Sequence, residues 1–192
     1  GRASDVQSAI NPHLKEPLTP EGWVTKSAKL FQLGEIGTAL ESIEKALYLD
    51  STSSEAWLLK AKLLAAGDER TKEALQAVRR AAALGEYTVL LESEILENDG
   101  KLDSARAVLE EWLEKTPSDA EARGRLSLVL FRAGAIDWAT KVLHEAPVEA
   151  WESASLHIME GRLHLLAADE YRDRTGDHDH IILLDATISF DS

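Results

Sequence analysis

The chain has 192 residues, 44% of them hydrophobic, which is enough to bury a continuous core. Acidic residues outnumber basic ones 34 to 21, and the resulting formal charge of −13 is spread along the sequence, so nucleic acid and anionic membrane surfaces are disfavoured as main partners. The absence of cysteine excludes disulfides and thiolate metal sites, and no run of 18 apolar residues is present to cross a membrane.

In chain order, residues 1–19 carry Pro12 and Pro17 and run into Pro20, which predicts an irregular lead-in. Apolar periodicity then predicts nine helices, at about 21–33, 37–49, 54–66, 70–84, 86–98, 102–115, 119–133, 136–146 and 149–172. Pro147 directly follows Ala146 and should stop the eighth helix about a turn early. The ninth is expected to cap the array, because a terminal repeat otherwise leaves its apolar face in water.

Gly34, Gly67, Gly100 and Gly134 are spaced by 33, 33 and 34 residues, the period of a solenoid of stacked units. Each is expected to be the left-handed cap between two helices. The second helix of each unit carries small and large residues on one face: Ala39-x3-Ile43-x2-Ala46, Ala74-x3-Val78-x2-Ala81, Ala105-x3-Leu109-x2-Trp112 and Ala139-x3-Leu143-x2-Ala146. Small residues let helix backbones approach closely while the large one fills the gap. Trp112 breaks the pattern, and the sequence predicts either a size swap with Gly124 and Ser127 or an exposed aromatic anchor.

With Trp23 and Trp57 opening the first two units, these glycines and alanines, and Pro117 closing the third, the sequence over roughly residues 20–147 resembles the tetratricopeptide repeat family. Units three and four depart from the family pattern, offering Val89 and Arg123 where the tryptophan stands. The resemblance implies an all-α, right-handed superhelix of about four helical hairpins, 20–53, 54–85, 86–118 and 119–147, treated as one domain with a capping helix at 148–174 and a tail at 175–192. It also implies a non-enzymatic scaffold that takes a peptide or helix of a partner protein on its concave face. The alternative is a regulatory or assembly domain of a larger enzyme or of a secretion or envelope machine. Carried onto the first helices, the binding positions are Val24, Leu58, Lys62, Leu90, Glu94, Arg125, Leu128, Phe131 and Arg132, an apolar strip flanked by charges. The family's clamp for a chaperone's C-terminal carboxylate needs basic and amide residues where this chain has Val24, Ala28, Leu59, Glu121 and Arg125, so that activity is not expected.

No phosphate loop, nucleophile elbow or His-Glu-x-x-His motif is present, and no cofactor or metal is expected. His157 and His164 share a helical face, and Asp177-His178-Asp179-His180 reads as a solvated turn. From Ile181 to Phe190, apolar residues alternate with period two, which predicts a short strand that docks on the chain or joins two copies as a homodimer. Direct insertion into a membrane is not expected. A chain opening on Gly1 rather than methionine reads as a fragment or processed product, and the composition fits a cytoplasmic protein, the favoured compartment, as well as a periplasmic one.

Overall fold

The computed structural model describes residues 17, 19–67 and 70–175, of which 155 and 167–175 are described by their backbone alone. Ten helices form among them: α1 Pro20–Gln32, α2 Ile36–Leu49, α3 Ser54–Ala65, α4 Thr71–Ala83, α5 Val89–Asn98, α6 Leu102–Lys115, α7 Ala120–Arg132, α8 Ile136–His144, α9 Val148–Trp151 and α10 Ala154–Thr175. The predicted lead-in, apart from Pro17 and Thr19, and the predicted strand with its Asp/His turn lie outside the described residues.

Side chains start the first helices and glycine turns feed the second ones. The Thr19 hydroxyl accepts from the Gly22 N–H at 3.2 Å, Ser53 from Ala56 at 3.2 Å and the Asp119 carboxylate from Ala122 at 3.0 Å, so α1, α3 and α7 each have an orphan amide satisfied. The second helices α2, α4 and α8 have no such cap. At Gly34, with φ +79°, the Glu35 N–H reaches back to Leu30 O at 2.9 Å and the Gly34 N–H to Phe31 O at 3.0 Å, a Schellman motif that satisfies the last carbonyls of α1. The same pair of bonds closes α4 at Gly85, α5 at Gly100 and α7 at Gly134.

Gly67 corrects the expected glycine register, because its φ is not positive and its N–H bonds to Leu64 O at 3.3 Å in a tight turn. The left-handed glycine of that hairpin is Gly85, at the end of its second helix. The Gly85 turn also delays α5 to Val89, since the Glu86 N–H is taken by Ala81 O while its carboxylate accepts from Ser54 at 2.7 Å.

The contacts divide the chain into two compact units between Lys101 and Leu102, where the sequence suggested one domain. In the first, α1 packs on α2 and α3 on α4, with α2 against α3 and α4 against α5. Trp23, Val24, Ala39, Ile43, Ala46, Leu47, Ala56 and Leu63 form one core; Ala61, Leu64, Ala74, Ala77, Val78 and Ile95 form the next. In the second unit, α7 packs on α6 and α8, and α10 on α7 and α8. The repeat alanines Ala39, Ala46, Ala74, Ala81, Ala105 and Ala139 are fully buried, as close helix packing requires.

Two further expectations change. The predicted ninth helix is broken at Glu152–Ser153 into α9 and α10. Ser153 stands 34 residues after the Asp119 cap, so α10 begins in the register of a first helix. Gly124 does not make room for Trp112: a Cβ there would meet Met159 Cγ of α10 at 3.2 Å, so this glycine admits the methionine. Trp112 is half-buried and donates from Nε1 to Asp119 Oδ2 at 2.7 Å, tying α6 to the cap of α7.

Candidate partner-binding surface

In α1, α3 and α7 a small, fully buried residue stands where the helix crosses its partner. Ser27 and Ser127, both fully buried, donate at 2.8 Å to the carbonyls of Ala39 and Ala139, each twelve residues on. Ala61 takes the same place in α3 without a hydroxyl, and the Ser93 hydroxyl turns back to Leu90 O in its own helix. The Ser27 and Ser127 bonds fix the rotation of α1 and α7 about their axes, and so fix which of their side chains leave the core.

In the first unit, Val24 is only 6% exposed and belongs to the core, which removes it from the expected contact strip. Leu58 and Leu90 are half-buried, and Lys62 and Glu94, one turn further along α3 and α5, are exposed. In the second unit Leu128 is 7% exposed and likewise packed inside, whereas Phe131 and Arg125 are half-buried and Arg132 is exposed. Burial therefore divides the nine predicted positions into two core residues and seven that reach solvent.

The sequence did not single out the indole of Trp57 as a wall shared by two surface grooves. One, of about 550 Å³, is lined by Glu44, Lys45, Leu47 and Tyr48; the other, of about 600 Å³, by Lys60, Gln76, Ala77 and Arg80. The indole is fixed by its Nε1–H to Ser51 O at 2.9 Å, and the Lys60 ammonium sits 5.1 Å from the ring centroid while pairing with Glu44 at 2.6 Å. Tyr48, on the wall of the first groove, is 90% exposed, and Arg80 lines the second.

Arg123, where the first two units have tryptophan, donates to Val142 O at 3.0 Å and to Pro117 O at 2.8 Å. It replaces aromatic packing with two carbonyl contacts that bind α7 to α8 and to the preceding loop. Burial pulls its guanidinium below its ordinary pKa, and the Glu145 charge opposes that. His157 lies against Trp151 O at 3.0 Å and His144 against Glu160 at 3.5 Å. Among the described residues, no three His, Asp or Glu side chains converge as a metal site, and no helix is long and apolar enough to cross a membrane.

Helical hairpins closed by Schellman turns and joined through small residues define a helical-repeat protein. Structural comparison narrows the class. The chain is similar to YrrB, described as a TPR protein with an unusual peptide-binding site, at 20% identity and a TM-score of 0.54 over 96% of this chain and 97% of that one. A tetratricopeptide repeat protein from Parabacteroides merdae gives a TM-score of 0.63 at 17% identity over 92% and 72% of the two chains. MamA gives 0.57 at 25% identity over 79% and 86%. No protein-family model and no curated protein matches the sequence. The chain has a tetratricopeptide-repeat-like fold of helical hairpins.

Proposed function

We propose that the chain is a non-enzymatic scaffold that captures a helix or extended segment of a partner protein on the exposed strip of its first helices. The observation that carries this reading is the survival at the surface of an apolar residue beside a charged one in successive first helices: Leu58 with Lys62 on α3, and Leu90 with Glu94 on α5. In the second unit the corresponding residues are Phe131 with two basic neighbours in sequence, Arg125 and Arg132. Apolar side chains supply affinity, and flanking charges of both signs orient the segment.

Affinity capture with the full chain as bait, compared with a Leu58→Asp/Leu90→Asp variant, tests the assignment. Loss of two central anchors should weaken capture of the enriched partner about tenfold or more. The charge reversal Lys62→Glu/Glu94→Lys touches only exposed positions and should also weaken capture while leaving the circular dichroism spectrum unchanged. An unchanged set of captured proteins with both folded variants would contradict the proposal.

A further inference from the structure

The last helix does not behave as a cap. Leu156 and Leu163, 0% and 5% exposed, together with Met159, seat α10 on its own unit. A capping helix should then turn a polar face outward. Instead Ile158 and Leu165 are each 68% exposed, and between them Gly161 faces open space, with no atom within 4 Å of where its Cβ would stand.

The repeat register gives these positions meaning. His157 stands 34 residues after Arg123, and Gly161 stands 34 after Ser127. Ser127 is fully buried beneath Ala139 of its paired helix, while Gly161 occupies the same place in α10 and is exposed. Thus α10 has the grammar of a first helix, with its crossing point uncovered among the described residues.

What fits that face is written along it. Ala154, Ile158, Gly161 and Leu165 follow one another at steps of four, three and four, the 3.5-residue periodicity of a two-helix seam. All four are exposed, and they alternate small and large. An antiparallel copy of the same helix, centred between Met159 and Glu160, sets Ala154 opposite Leu165 and Ile158 opposite Gly161. Both pairs of positions have the same centre, so each large residue meets a small one in every layer. A face that complements itself in this way satisfies the condition for an isologous contact.

We infer that α10 is a homodimerisation element, packing antiparallel on α10 of a second copy around Gly161. This surface differs from the first-helix strip proposed for a partner segment, and neither inference depends on the other. Two single helices form an interface at the small end of the specific range, so a dissociation constant on the order of 10 µM is expected.

Sedimentation velocity of the full chain, from low micromolar to several hundred micromolar, should show a monomer passing to a dimer. Gly161→Leu is the informative variant. It fills open space in the monomer and replaces a helix-weakening glycine, so the melting midpoint should hold or rise. In the dimer it would collide with Ile158 of the second copy, and the dissociation constant should rise at least tenfold. The exchange Ile158→Ala/Gly161→Leu moves the large residue to the other side of each layer and should bring the constant back to within about fivefold of the parent. A chain that remains monomeric throughout, or a dimer indifferent to Gly161→Leu, would overturn the inference. So would a dimer that Gly161→Leu leaves intact and that Ile182→Asp/Ile188→Asp abolishes, because the contact would then belong to the C-terminal segment.

Discussion

Ser127 shows how one hydroxyl can set a helix's rotation. Its hydrogen bond to Ala139 O lies in a fully buried crossing, where a small donor lets the backbones approach and adds direction to the packing. Ser127→Ala should lower stability by about 1 kcal/mol, read from denaturant midpoints, whereas Ser104→Ala on the exposed face of α6 should change nothing measurable. Equal effects from the two would remove the hook from the account. Glycines can be sorted in the same way. Gly134, at φ +78°, strains any residue with a Cβ, and Gly134→Ala should cost roughly 1–2 kcal/mol. Gly67 has no positive φ, so Gly67→Ala should be neutral or slightly stabilising in the same titration. The 33-residue period made these glycines look equivalent, but period fixes where a turn falls and not its handedness.

Among elements, the second helices were the most legible. The Ala-x3-large-x2 pattern named residues that prove fully buried, including Ala105, Leu109 and Ala139, because the spacing of a packing face is a local property of the sequence. Replacing Ala139 with Leu should overpack the α7–α8 crossing and cost roughly 1–3 kcal/mol, visible as a lower melting midpoint; an unchanged midpoint would contradict the register. Less legible was what each position faces. Gly124 was read against Trp112 and serves Met159, and Val24 and Leu128 were read as contact residues and are core. Sequence spacing places a residue on a helical face, while the neighbouring helix that covers it is decided by tertiary packing. The break at Ser153 had a signal, the repeat of a cap residue at 34, that a continuous apolar pattern masked.

At the scale of the whole molecule, acid should reveal how its excess of carboxylates is held. Hydrogen bonds from the Thr52 hydroxyl and then its N–H keep Asp50 below its ordinary 3.8. Lys101, with Thr71, does the same for Asp99, and Lys115 holds Glu111 below its ordinary 4.5. Carboxylates depressed in the folded state stabilise it fully above their ordinary values, and that contribution is lost as pH falls through the depressed ones. The share of stability owed to these three carboxylates should therefore be constant from pH 7 to about 5 and be lost below about 4, while acid also relieves the repulsion of the −13 net charge. Concentrated salt should blunt the share owed to Lys101 and Lys115 more than that owed to Thr52. A Thr52→Val variant whose midpoint follows the parent's at every pH would contradict the Asp50 assignment.

The central claim is that partners are taken on the exposed strip of the first helices. Hydrogen–deuterium exchange of the full chain, with and without a captured partner, tests it most directly. Added protection is expected in α3 and α5, around Leu58 and Leu90, with the second helices α2 and α4 of the same unit unchanged. Protection confined to those second helices, with α3 and α5 unaltered, would contradict it.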